Sequence, residues 1–215
     1  MVYRLFQWFV KLTGWIPQLI AFRLKVYYED KAVQSKKIRG SAIVVSNHNT
    51  VLDVAVMMYV FWRRTLRCVT AEIMYEKNIF MSAFLRLFGA IRVDRNDHDF
   101  GFIEKSARIL GRGGVVEIYP EARLPLAGEE RPLEFKPSAV YLALESGAPI
   151  IPVYNSRRGF GDRPGAVMIG KPIYARELYD DSLDEKANIE NITEILRGKI
   201  IELSEKLEGQ RQKKA

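Results

Sequence analysis

The stretch "SNHNTVLD" (residues 46–53) puts His48, one of only two histidines, directly after the apolar run "AIVV" and five residues before Asp53. An imidazole with a carboxylate on one ring nitrogen keeps the other nitrogen free to take a proton from a hydroxyl, which is the chemistry of a general-base dyad. Five steps of about 100° along a regular helix would put the two residues on different faces. The pairing therefore needs His48 in a turn and Asp53 in the first turn of the following helix, folding back. Spacing alone leaves a second reading open. Thr50 could cap that helix with Asp53 completing a capping box, and His48 would be an ordinary turn residue. The two roles compete for one carboxylate.

Two further polar groups follow short apolar runs. "FGAIRVDR" (88–95) ends in Asp94 and Arg95, and "VVEIYPEAR" (115–123) carries Glu121 and Arg123. Lys136, in "EFKPSAV", opens the next helical segment. A guanidinium offers a planar fork suited to phosphate. Each arginine taken singly reads equally as a surface ion-pair partner, whereas three such loops at successive strand ends read as an anion site facing the histidine. The second histidine, His98, sits in the polar segment "DRNDHDF" with Asp97 and Asp99. Adjacent residues rarely converge on one ion, so a solvated loop is expected there and no metal site.

The elements that must position these groups alternate along the chain. "SAIVVS" (41–46), "LRCVTA" (66–71), "AIRV" (90–93), "VVEIY" (115–119), "PIIPVY" (149–154) and "AVMIG" (166–170) read as strands. Residues 51–64, 78–89, 102–114 and 136–147 read as helices, with Gly89 and Gly147 as stops and Pro137 in a first turn. Alternation of this kind predicts an α/β domain with a mostly parallel, mixed sheet flanked by helices. Active residues in such sheets gather at the carboxyl ends of the strands. A chain of 215 residues, 48% hydrophobic and 27% charged, fits one globular domain. A net charge of +7 suggests an anionic partner. The basic residues are dispersed, which argues against nucleic acid. The single cysteine, Cys68, excludes an internal disulfide and reads as a buried, inert thiol.

The two ends differ. "MVYRLFQWFVKLTGWIPQLIAFRLKVYYED" is apolar and aromatic, but Arg4, Lys11, Arg23 and Lys25 interrupt it. Its longest uncharged run, residues 12–22, would span roughly 17 Å as a helix, about half a bilayer core. It suits neither a membrane span nor a signal peptide, whose apolar core would not be broken by Gly14 and Pro17. Two short helices bent at "TGWIP", with Trp8 and Trp15 beside basic residues, fit an anchor lying in the membrane interface. Residues 1–30 are thus expected to be the anchor and residues 31–215 the main domain. In the latter, apolar residues at helical spacing predict a C-terminal helix over about 183–208, opened by a Ser182–Glu185 capping box.

The order of these motifs resembles the lysophospholipid acyltransferase superfamily, typified by 1-acyl-glycerol-3-phosphate acyltransferases. The family's N-H-x4-D block is met by Asn47, His48 and Asp53. Its G-x-I-x-V-D-R block is met by "GAIRVDR" (89–95), its F-P-E-G-T-R block by "YPEAR" (119–123), its F-K-x-G segment by "FKPS" (135–138) and its V-P-V strand by "IPV" (151–153). The resemblance covers residues 40–172 and implies an enzyme. His48 would deprotonate a glycerol hydroxyl of lysophosphatidic acid, oriented by Asp53, and the oxygen would attack the thioester of acyl-CoA or acyl carrier protein to give phosphatidic acid. Arg95, Glu121 and Arg123, with Lys136, would bind the acceptor. No cofactor or metal is implied, because the thioester is already activated. The partners implied are the lysophospholipid, the donor and a phospholipid surface, on the cytoplasmic face.

The third block departs from the family pattern. It is one residue short, and Ala122 stands where glycine is usual, a residue that resists positive φ. That loss redirects the side chains beyond it. A different lysolipid or amino-lipid acceptor, or an inactive lipid-binding homologue, is the alternative. A serine hydrolase using Ser46 or Ser138 lacks a G-x-S-x-G elbow.

Overall fold

The computed structural model describes residues 2–32, 36–94, 101–156 and 165–212. Seven strands among these residues form one sheet: β1 (Lys25–Tyr28), β2 (Ala42–Ser46), β3 (Leu66–Ala71), β4 (Ile91–Val93), β5 (Val115–Ile118), β6 (Ile150–Asn155) and β7 (Ala166–Ile169). Their spatial order is β1-β7-β6-β2-β5-β3-β4. β2 sits at the centre, parallel to β5 through Ala42↔Val115 and to β6 through Ile43↔Ile150. β3 is parallel to both β5 and β4. β7 runs antiparallel to β6, so the sheet is mixed, as expected. Five strands therefore deliver their carboxyl ends to one edge, where the loops after β2, β5 and β6 meet.

The strands are apolar on both faces because helices cover both. Period-two alternation divides the core. Ile43 and Val45 of β2, with Val116 and Ile118 of β5, face α6 (Gly101–Leu110), α7 (Ser138–Ser146) and α8 (Glu185–Gln212). Ala42 and Val44 face α3 (Asp53–Val60), whose Val56, Met57 and Val60 are buried against them. On α8 the expected stripe is realised, with Ile189, Ile192, Leu196, Ile200, Leu203 and Leu207 all buried. Its start is not the Ser182–Glu185 box. Asp184 accepts the Ala187 N–H at 2.7 Å, while Ser182 is turned back onto Asp180. The nearer, shorter acceptor wins the orphan N–H groups.

The N-terminal boundary also moves. α1 (Val2–Thr13) and α2 (Trp15–Ala21) form the two helices, but the helical run ends at Ala21. Arg23, at φ 45°, turns the chain into β1, which pairs with β7 from Lys25↔Ala166 to Tyr28↔Ile169. Residues 25–28 therefore belong to the main sheet and not to the anchor. Four residues are too few for period to distinguish strand from helix.

The α1 helix is packed with its polar side inward. Gln7 donates to the carbonyls of Leu66 and Phe88, and Lys11 Nζ donates to those of Trp62 and Arg64 at 2.9 and 2.6 Å. Both side chains are buried, and burial lowers the Lys11 ammonium to about 8. Leu5, Phe9, Leu12 and Ile16 are instead 61–68% exposed. α1 also packs on α5 (Ile79–Phe88) through an edge-on Phe6–Phe84 contact. Gly89 ends α5 at φ 81°, and a Cβ there would lie 2.9 Å from Tyr3. Among the described residues no helix is long and apolar enough to cross a membrane.

Candidate active site

The loop after β2 holds the dyad geometry. His48 Nδ1 lies 3.0 Å from Asp53 Oδ2, with Asp53 fully buried and the His48 side chain 19% exposed. Asp53 also takes the Thr50 N–H, its half of the box that the spacing left open, but Thr50 does not cap the helix, whose N-cap is Leu52 with no side-chain bond. Asp53 Oδ2 accepts the N–H groups of Asn49 and Thr50 at 2.6 and 2.8 Å, and Oδ1 accepts the Thr50 hydroxyl at 3.0 Å. One carboxylate serves the imidazole and the turn because its lone pairs can take several donors. These bonds fold the turn back until the imidazole and the first helical residue touch. With Nδ1–H directed at the carboxylate, Nε2 carries the lone pair.

Three asparagines brace the turn from β6. Asn47 and Asn155 are joined twice: Asn47 Nδ2 donates to the Asn155 carbonyl, and the Asn155 N–H donates to Asn47 Oδ1 at 2.7 Å. Asn49 Nδ2 donates to the same carbonyl, and Asn155 Nδ2 donates to Asp53 Oδ1 at 3.0 Å. Asn155 was not singled out from the sequence, because nothing local distinguishes the last residue of "IIPVYN".

The loop after β5 supports the histidine from the other side. Tyr119 stacks beneath the imidazole, with ring centroids 4.4 Å apart. Its hydroxyl donates to Glu117 Oε1 inside the core, and Glu117 Oε2 has no hydrogen-bond partner among the described residues. Burial pushes the Glu117 carboxyl up to about 8, so it is largely neutral at pH 7. A lone acidic residue inside "VVEIY" was the available signal. Glu121 is buried and uses both oxygens on backbone: Oε1 accepts the His48 N–H at 2.7 Å and Oε2 the Leu133 N–H at 3.0 Å. Burial raises its carboxyl, opposed by these two donors.

Arg123 and Lys136 are not brought to the pair. Arg123 closes its fork on Glu129, at 2.7 and 2.8 Å, and is exposed. That fork holds the Glu129 carboxyl at about 2. Ala122 does adopt the left-handed conformation, at φ 58°, held by its N–H bond to the Tyr119 carbonyl. Lys136, at the foot of α7, borders a cleft shared with Phe102 and Tyr141. Neither His48 nor Asp53 lines that cleft. Arg95 and His98 lie outside the described residues.

A mixed α/β sheet of this order has a counterpart among known structures. In fold, the chain is similar to the crystal structure of the 1-acyl-sn-glycerophosphate (LPA) acyltransferase PlsC from Thermotoga maritima. The TM-score is 0.61 over 94% of this chain and 81% of that one, at 16% identity. In sequence it is 23% identical over 160 residues to the human 1-acyl-sn-glycerol-3-phosphate acyltransferase beta. That match takes in 70% of this chain but spans only 57% of the human protein's length. The family model described as Acyltransferase matches residues 23–156, more than half of the chain. That span begins just before β1, ends just after β6 and contains His48, Asp53, Glu121 and Arg123, and this chain belongs to the acyltransferase family.

Proposed function

We propose that this protein moves a fatty acyl group from the thioester of acyl-CoA or acyl carrier protein to the free hydroxyl of lysophosphatidic acid, forming phosphatidic acid. The observation that carries the reading is the 3.0 Å contact between His48 Nδ1 and Asp53, which leaves Nε2 as the free base. Nε2 takes the hydroxyl proton as the oxygen attacks the thioester carbonyl, forming the C–O bond. Collapse of the tetrahedral adduct breaks the C–S bond, and the departing thiolate takes the proton from the imidazolium. Asp53 holds the tautomer and stabilises the imidazolium, a contribution of about 10²–10⁴ in rate for a positioned base. Glu121 acts by holding the His48 backbone with one oxygen and the Leu133 backbone with the other.

The protein works at a phospholipid surface. Leu5, Phe9, Leu12 and Ile16 form the outward stripe of α1–α2, and the inward polar anchors Gln7 and Lys11 fix that orientation. Such a stripe lies at the headgroup boundary. A cytoplasmic donor thioester then places the site on the cytoplasmic face.

Membranes containing the protein, supplied with labelled acyl-CoA or acyl carrier protein and a panel of lysolipids, test the reaction. Transfer to lysophosphatidic acid that disappears in His48→Ala supports it, and unchanged transfer by His48→Ala removes His48 as the base. The engagement of Arg123 with Glu129 favours one second reading, a different lysolipid or amino-lipid acceptor, which the same panel identifies. For the surface, Leu5→Ser, Phe9→Ser, Leu12→Ser and Ile16→Ser combined should abolish flotation with anionic vesicles while thermal unfolding stays cooperative. Undiminished flotation would overturn the anchoring.

A further inference from the structure

Shortening the loop after β5 leaves the acyltransferase block without an arginine aimed at the site, yet another guanidinium stands there. Arg131 reaches into the turn that carries the base, its Nη1 donating to Asn49 Oδ1 at 3.2 Å. Asn49 is the neighbour of His48, and its own N–H is bonded to Asp53. We propose that Arg131, in place of Arg123, is the residue that binds the phosphate of the acceptor and so sets its headgroup specificity. This rests on the acyltransferase reading above.

Three observations carry it. First, the two arginines differ in what they have left to give. Arg123 spends its fork on Glu129, whose Oε2 also accepts the Leu126 N–H at 2.6 Å, so the pair closes the loop 123–129 on itself. Arg131 forms no ion pair among the described residues and makes one long bond to a neutral amide. A guanidinium has five N–H donors, so most of its fork remains open for a bidentate anion. Second, Arg131 projects from an anchored backbone. The Leu133 N–H is held by Glu121 Oε2, Arg197 clasps the carbonyls of Pro132 and Leu133 at 3.0 and 3.1 Å, and Pro132 is buried. A side chain presented from fixed backbone loses less entropy on binding. Third, the anchor is shared with the base. Glu121 holds the His48 N–H with one oxygen and the Leu133 N–H with the other, so a single carboxylate ties the histidine to the backbone two residues after Arg131.

A phosphate group could come from the acceptor headgroup or from coenzyme A, and the kinetic arms separate them. Purified full-length protein, wild type and Arg131→Ala, Arg131→Lys and Arg123→Ala, would be assayed in mixed micelles with acceptor and donor varied independently. Binding of glycerol 3-phosphate would be followed by calorimetry, and folding by thermal melts. Arg131→Ala should raise the acceptor KM by about tenfold to a hundredfold, the range for a hydrogen bond to a charged group. Arg131→Lys should fall between, donor KM should not move, and Arg123→Ala should stay within about twofold of wild type in acceptor KM, its fork being closed. Glycerol 3-phosphate binding should be lost in Arg131→Ala alone. An unchanged acceptor KM in Arg131→Ala, a shift confined to the donor, or a larger effect in Arg123→Ala overturns the assignment. Glycerol 3-phosphate binding that depends on Arg131, in a wild type that does not acylate lysophosphatidic acid, keeps the phosphate site and removes the reaction. Absence of both removes both.

Discussion

The imidazole of His48 and the phenol of Tyr119 are stacked, centroids 4.4 Å apart and planes 30° from parallel, and the Tyr119 hydroxyl is tied to the buried Glu117. The imidazole thus rests on a ring whose far edge is fixed in the core. Tyr119→Phe keeps the ring and removes the donor, leaving Glu117 without its one side-chain partner. Stability should fall by about 1–3 kcal/mol, the cost of an unsatisfied buried group, with kcat within a few-fold of wild type. Tyr119→Leu removes the ring and should lower kcat by roughly fivefold at unchanged donor KM, the equivalent of the ~1 kcal/mol typical of aromatic pairs. Adding Glu117→Val to Tyr119→Phe should recover most of the lost stability. Denaturant titrations and initial rates on the three variants check this.

Glu117 makes stability pH-dependent in a defined direction. Its carboxyl is raised from 4.5 to about 8 in the fold by burial. Below pH 4.5 both folded and unfolded chains hold the proton, and stability is unaffected. Between 4.5 and 8 the unfolded chain releases it while the fold retains it, so stability falls by about 1.4 kcal/mol per pH unit. Above 8 the slope ends. Glu117→Gln, which cannot ionise, should flatten that part of the stability–pH curve, measured as the urea midpoint across pH 4–9.

Ala122 occupies a left-handed conformation at φ 58° that costs an L-residue roughly 1–2 kcal/mol. Ala122→Gly relieves that strain and gives back part of it as unfolded-chain entropy. A net stabilisation of about 0.5–1 kcal/mol is expected, read as a raised thermal midpoint. If the conformation at Ala122 also sets where the loop lies, the acceptor KM will change while the donor KM does not.

Asp53 takes five donors: His48 Nδ1, the N–H groups of Asn49 and Thr50, the Thr50 hydroxyl and Asn155 Nδ2. Asp53→Asn must turn an NH₂ toward some of them, so kcat should drop by about 10²–10⁴ and stability should fall as well. Asn155→Ala keeps the backbone bonds to Asn47 and Asn49 and removes one of those five donors, leaving the carboxylate itself in place. A smaller loss in kcat than Asp53→Asn is expected, at unchanged acceptor KM, because the imidazole would be less firmly held rather than left without its partner.

Much of this architecture is legible along the chain. Apolar runs bounded by Gly89, Gly147 and Pro137 mark the alternating strands and helices, because backbone preference and hydrophobic period act over neighbouring residues. The pair His48 and Asp53 is visible for the same reason: five residues are close enough for a turn to join them. The four residues of β1 are not legible, since their strand character comes from β7, 141 positions away in register. Nor is the pairing of Arg123 with Glu129, because sequence shows a missing residue but not which partner the redirected side chain will meet.

What sequence by itself determined is the inventory: one base, one carboxylate at the right spacing, basic residues at successive strand ends, and an amphipathic beginning. What only the tertiary structure decided is allocation. It put Asn155 on Asp53 from 102 positions away, Glu121 on two backbone segments, Gln7 and Lys11 inward with their apolar neighbours outward, and Arg131 on Asn49. The physical reason is that hydrogen-bonding capacity is local to a side chain, while the partner that consumes it is chosen by which strand ends the sheet brings together.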